Sequence, residues 1–194
     1  MIPQFLIEEA EKSKAQYIYH AGALQSVKPA ETMFGFTVFA HMIPPFRPEH
    51  TLMLGYGGGT VPALMRKIWG DCKITGVDIE PRSDRFLEHR MKIMDARDFL
   101  MDATKDSIFK NRIPLLGQTK YDYVCVDLWE GDKVCDFVFG LEFAVRLKEI
   151  ATKFVSFNFS AQDTGRLKSF FDHGYKFLRF VPVDGNSVQW WEVK

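Results

Sequence analysis

Apolar residues fall in short blocks, and between the blocks run stretches whose apolar positions recur at helical spacing, so strand and helix signals alternate through most of the chain. The first compact block, residues 51–54, ends at Gly55-Tyr56-Gly57-Gly58-Gly59-Thr60, and the next residues, 61–69, carry a helical stripe. Residues 73–77 and 92–94 read as the following strands, with a helix over 96–102 behind them. A polar insert ending around Lys120 precedes a strongly apolar strand over 123–127. A helix over 137–150 and a strand over 154–158 continue the alternation. The tail reads as a helix over 164–173, a strand over 175–181, a turn at Asp184-Gly185-Asn186 and a strand over 187–193, so the chain closes on a hairpin.

Before the first glycine-bearing strand, residues 4–14 look helical, 16–27 alternate like two short strands about Gly22, and 34–43 suit a buried helix that Pro44, Pro45 and Pro48 end. Residues 1–48 therefore read as a helix, hairpin and helix appended to one nucleoside-binding domain that takes in residues 1–194. Alternating strand and helix implies a parallel sheet. A mostly parallel seven-stranded sheet that ends in an antiparallel hairpin is the α/β, Rossmann-like class I methyltransferase fold, whereas dinucleotide-binding dehydrogenases continue with parallel units.

Ligands of such sheets lie over the carboxyl ends of the strands, so the residues at those ends should share one cleft. Here they are glycines and acids. Gly55, Gly57, Gly58 and Gly59 allow a sharp turn and a close approach of ligand to backbone, and Asp78 ends the next strand, which together point to an adenosine-containing ligand. Thr60 stands where a dinucleotide fingerprint would have its last glycine. Asp78 either accepts both ribose hydroxyls, with Ile79 against the adenine, or shapes the turn before Pro81. Asp95 suits the adenine amine, the N-cap of the helix that follows, or both. Asp127 is the candidate catalytic residue: one ionised carboxylate can attract an ammonium, orient it and take its proton, with Glu130 and Asp132 holding further positive charge on the substrate. The alternative is a loop cap, with Trp129 in the core and the other acids solvated. Only about a dozen residues separate Pro81 from Asp95, little room for a crossover helix, so that face of the sheet is expected to be thin.

Composition narrows the partners. With 46% hydrophobic residues and 18 Phe in 194 residues, the chain has the apolar surface for one real core. Its 25 basic and 25 acidic residues leave no net charge, which argues against a nucleic-acid partner. Cys72, Cys125 and Cys135 lack CxxC spacing and sit in or beside apolar runs, so buried thiols in the reducing cytoplasm are expected rather than disulfides or zinc ligands. The five His are scattered and none lies beside the acids in sequence, so no metal site is expected. The N-terminus turns acidic before any signal-length apolar core, and no run approaches about 18 apolar residues, so a soluble protein without a membrane partner is expected.

Taken together these residues resemble the spermidine synthase superfamily of aminopropyltransferases, over most of the chain. Gly22-Ala23-Leu24-Gln25-Ser26 is similar to the family's segment before the nucleoside domain, Leu54 to Thr60 to its glycine loop, Asp95-Ala96-Arg97-Asp98-Phe99-Leu100 to its adenine-binding stretch, and Tyr121 to Asp127 to its catalytic strand. The resemblance implies that Gln25, Asp78 and Asp95 contact the nucleoside, that Ala96 belongs to the adenine site, and that Asp127 is the base and amine ligand. Where the family has an Asp-Glu pair and then Tyr-His for the polyamine, this chain has Ala30-Glu31 and Phe34-Gly35; where it has Ser/Thr-Asp-Pro after the catalytic Asp, this chain has Leu128-Trp129-Glu130. These departures favour ordinary S-adenosylmethionine over the decarboxylated donor, and methyl transfer to a small cationic acceptor. Aminopropyl transfer from decarboxylated S-adenosylmethionine and a non-catalytic nucleoside-binding or structural role stay open, as does a homodimer. No Asn/Asp-Pro-Pro-aromatic motif follows the fourth strand, which also argues against methylation of nucleic-acid bases. Trp190 and Trp191 are candidates for an exposed contact surface, although alternation in the last strand would bury one of them.

Overall fold

Every residue of β6 (Tyr121–Val126) is buried, a pattern that needs both faces of the strand covered and so belongs near the middle of a sheet. The computed structural model describes residues 38–81, 90–108, 120–167, 170, 173–183 and 185–194, together with the backbone of β1 (Tyr17–His20) and β2 (Ala23–Val27). In it β6 lies between β3 (His50–Leu54) and β9 (Ala151–Ser160), parallel to both. β4 (Lys73–Asp78) pairs in parallel with β3, and β5 (Arg90–Ile93) with β4. On the other side β11 (Asn186–Val193) runs antiparallel to β9, and β10 (Tyr175–Val183) antiparallel to β11. The seven-stranded order is β10-β11-β9-β6-β3-β4-β5, the parallel sheet with a closing hairpin that the sequence pattern predicts. β1 and β2 form their own antiparallel pair, as the alternation about Gly22 predicts.

Adjacent residues of a strand face opposite ways, so one strand feeds two cores. Leu52, Leu54, Val124, Val126, Val155 and Phe157 join Phe99, Leu100 and Leu147 of the helices Ala96–Ile108 and Leu141–Ile150 on one face. Met53, Tyr123 and Cys125 join Val61, Leu64 and Met65 of the helix Thr60–Trp69 on the other, with Phe39 of the short helix Val38–His41. The last strand obeys the same rule. Trp191 packs into the first core and Trp190 into the second, at 1% and 2% exposure, so neither forms the contact surface their sequence position suggests. The Trp190 ring stacks on Tyr123 at 5.5 Å, and its indole N–H donates to the His41 carbonyl.

Several boundaries differ from expectation for local reasons. The helix that begins at Ala96 runs on to Ile108, with the Thr104 hydroxyl returning a bond to the Leu100 carbonyl instead of breaking the helix. The segment 137–150 is not one helix: a 3₁₀ turn over Asp136–Phe139 stops at Gly140, whose extended backbone separates it from the helix Leu141–Ile150. Of the helix expected over 164–173, residues 164–167 belong to a 3₁₀ segment, Ala161–Leu167, Phe170 is helical as expected, and 168, 169, 171 and 172 lie outside the described residues. β7 (Trp129–Glu130) and β8 (Lys133–Val134) pair as an unpredicted hairpin, turned by Gly131 at φ 64°. The helix expected over 4–14 and the crossover from 82 to 89, with the thin face expected there, lie outside the described residues. No described helix is long and apolar enough to cross a membrane.

The start of β3 is tied to β6 by a buried acid. The Asp122 carboxylate accepts the backbone N–H groups of Glu49 and His50 at 2.8 and 2.9 Å, with Lys153 Nζ 3.6 Å away. Asp122→Ala leaves both donors unpaired at the edge of the core, and chemical denaturation should show a loss of roughly 2–4 kcal/mol. Removal of the half-exposed Lys153 partner should cost less than about 1 kcal/mol.

Candidate functional site

Backbone pairing continues one step past the strand ends and thereby gathers the candidate residues. The Gly55 N–H donates to the Val77 carbonyl at 2.9 Å, the Asp127 N–H to Leu54 at 2.8 Å, and the Met94 N–H to Asp78 at 2.9 Å. Gly55, Asp78 and Asp127 consequently share the carboxyl edge of the parallel strands, where ligands of such sheets bind.

The glycine turn fills a space that admits no side chain. Gly55, Gly57 and Gly59 have φ of 81°, 53° and 89°, a region that L-residues resist. A Cβ on Gly55 would lie 2.0 Å from the Asp127 carbonyl oxygen, so the turn presses directly on the strand that carries the candidate base. Tyr56 turns inward to the second core and packs between Gly59 and Gly76, which anchors the loop. Gly58 is buried, and Gly59 leads into the helix Thr60–Trp69.

Asp78 knits this turn to its own. Oδ2 accepts the Gly57 N–H at 2.7 Å and Oδ1 accepts the Glu80 N–H at 3.0 Å. Carboxylate oxygens accept more than one hydrogen bond each, so shaping the turn and binding hydroxyls are compatible roles. Ile79 follows with its side chain 69% exposed, an apolar surface beside the acid. Asp95 caps the next helix: Oδ1 accepts the Arg97 backbone N–H at 2.7 Å, while the Arg97 guanidinium holds both oxygens at 3.0 and 2.7 Å. Those bonds hold the Asp95 carboxyl below its ordinary range. Arg97 also lies 5.1 Å over the Phe137 ring, and Ala96 is buried at the start of the helix.

Asp127 is held differently. Its Oδ1 accepts two bonds, from Trp129 Nε1 at 2.9 Å and from Asn158 Nδ2 at 2.8 Å, whereas Oδ2 has no partner among the described residues. Burial pushes the carboxyl up to about 6, the two donors pull against that rise, and the charge of Asp78 adds to it. Asn158 is a residue the sequence reading missed. Val126 of β6 pairs with Phe157 of β9, so Asn158 stands at the same edge as Asp127, and a polar residue closing an apolar strand beside a candidate base was the available signal. Glu130 and Asp132 are exposed on the β7–β8 hairpin. Cys135, just beyond it, has its thiol pushed up first by burial and then by the charges of Glu130 and Asp95. Gln25 lies on β2, and its side chain is outside the described residues.

No family model matches the chain. A curated polyamine aminopropyltransferase from Vibrio vulnificus is 23% identical over 150 residues, which is 73% of this chain and 50% of that protein. The chain thus spans about half the length of the curated relative it matches. Among solved structures, one named as a probable spermidine synthase from Corynebacterium glutamicum superposes with a TM-score of 0.63 at 13% identity, over 93% of this chain and 73% of that one. A ribosomal protein L11 methylase from Lactobacillus delbrueckii superposes with a TM-score of 0.53 at 10% identity, over 76% and 70% of the two chains. These likenesses show the Rossmann-like class I methyltransferase fold.

With a folded pKa of about 6 against an unfolded value of about 3.9, Asp127 contributes stability that is complete below about pH 4 and lost as pH rises through about 6. Asp127→Asn removes that titration and should be more stable than the native chain by roughly 2 kcal/mol at about pH 7.5, with the gap closing near pH 4 in denaturant melts. Gly55→Ala combines an unfavourable φ with the collision at the Asp127 carbonyl, and a thermal melt should fall by well over about 5 °C.

Proposed function

We propose that this chain is a transferase that binds S-adenosylmethionine across the glycine turn and moves its methyl group to a small cationic amine. The observation that carries the reading is Asp127: a carboxylate fixed through one oxygen, with its other oxygen unengaged among the described residues and its proton affinity raised, beside Asp78 and the glycine turn. The nucleoside fits the residues present. Asp78 would hold the ribose hydroxyls, exposed Ile79 would cover one face of the adenine, and Asp95 with Ala96 would meet its amine edge. By resemblance Gln25 would also contact the nucleoside. When bound, S-adenosylmethionine supplies a carbon activated by its sulfonium, so the protein's task is to align the acceptor and deprotonate it. Asp127 Oδ2 attracts the ammonium and takes its proton, and a carboxyl raised to about 6 is a better acceptor for that proton than an ordinary one. Glu130 and Asp132, exposed on the hairpin that follows, add negative potential for a cationic acceptor.

Aminopropyl transfer from decarboxylated S-adenosylmethionine is the second reading, and the likeness to a polyamine aminopropyltransferase favours it. Against it stand Ala30-Glu31 and Phe34-Gly35, where those enzymes place their polyamine contacts. Calorimetric titration with each donor separates the two: tighter binding of S-adenosylmethionine supports methyl transfer, the reverse preference supports aminopropyl transfer, and binding of neither by the folded chain defeats both. Asp78→Ala should weaken donor binding by roughly 10-fold to 100-fold, the value of one or two hydrogen bonds to a charged group. Asp127→Asn should keep donor affinity and lose turnover; a chain that binds donor and never turns it over is a non-catalytic nucleoside binder.

A further inference from the structure

Asn158 is 4% exposed at the carboxyl end of β9, between Phe157 and Phe159 of the first core. Its Nδ2 donates to Asp127, but its own Oδ1 is buried without a partner among the described residues. A buried acceptor left unmade costs about 1–3 kcal/mol, and leucine has nearly the same shape without that cost. Packing therefore does not account for the amide, whereas its one bond to Asp127 does. Trp129 reaches the same oxygen from a different element, the β7–β8 hairpin. Two donors from different elements converge on Oδ1, and a carboxylate held this way cannot rotate without losing both.

We propose that Asn158 and Trp129 are positioning residues that pin Asp127 through Oδ1, so that Oδ2 alone is presented to the acceptor amine. The inference rests on the transfer reading above. Both donors also favour the charged carboxylate, so they set how basic Oδ2 is as well as where it points. Among the described residues the other charged group that acts on Asp127 is Asp78 at the end of β4, while the Cys125 thiol within β6 is itself pushed up to about 12, first by burial and then by Asp127.

The test is a pH titration of the Asp127 carboxyl ¹³C resonance in the donor-free full chain, assigned by its absence in Asp127→Asn. Asn158→Leu and Trp129→Phe should each raise the midpoint by about one pH unit, the loss of one bond to the ionised form. In turnover assays the acid limb of the pH profile should move by the same amount and kcat should fall, with S-adenosylmethionine affinity within about twofold of the native value. A midpoint unmoved by Asn158→Leu overturns the proposal. Should that variant fail to fold, the native Asn158 side-chain amide resonances decide: a shift that tracks the Asp127 midpoint supports the bond, and a flat response overturns it. Absence of turnover with any sulfonium donor would defeat the transfer reading, while the carboxyl titration would still report on the Asn158 bond to Asp127.

Discussion

The contact on which the site depends is the approach of Gly55 to the carbonyl of Asp127. It leaves no room for a Cβ, and it holds the glycine turn against the strand that carries the candidate base. From that point the backbone bonds run outward: Asp127 to Leu54, Gly55 to Val77, Gly57 to the Asp78 carboxylate. Each link fixes the next strand end relative to the last. A one-residue slip of β3 against β6 would turn every side chain to the wrong core and also separate the turn from the acid, so core register and site geometry are one constraint.

β6 carries an acid at each end, and the two are treated in opposite ways. Asp122 is satisfied by two backbone N–H groups with an ammonium nearby, and its work is to start β3 in register. Asp127 accepts bonds from the described residues on one oxygen only, and burial raises its proton affinity. The first arrangement stabilises the fold; the second costs stability. That difference, read along one stretch of chain, is what makes Asp127 the candidate base and Asp122 a structural acid. Asn158, whose buried oxygen has no partner among the described residues, repeats the pattern on the neighbouring strand.

The parts legible in the sequence are those with local causes. Apolar blocks alternating with helical stripes predict all seven strands of the large sheet and its closing hairpin, and the glycines with Asp78 mark the turn between β3 and β4. The illegible parts have tertiary causes. Two-residue strands such as β7 and β8 have no period to detect, and the break at Gly140 comes from one extended residue inside an otherwise helical pattern. Trp190 and Trp191 are both buried because β11, last in the chain, lies between two other strands with cores on both faces. Asp122 and Asn158 read as incidental polar residues until their partners, distant in sequence, are placed beside them.

The same distinction bears on the acceptor. The donor half of the proposed site is made from the glycine turn and strand ends, elements the sheet cannot alter without losing its register. The acceptor half draws on exposed residues of a short hairpin, Glu130 and Asp132, and on whatever approaches Asp127 Oδ2 from solvent. Exposed loop charges change with little effect on stability, whereas the glycine turn does not tolerate a methyl group at Gly55. A chain of this fold can therefore keep one turn architecture while the residues around Asp127 vary, and here a glycine loop and Asp78 in the expected places stand beside Leu128-Trp129-Glu130. Trp129, in that stretch, is the residue whose indole N–H donates to the Asp127 carboxylate.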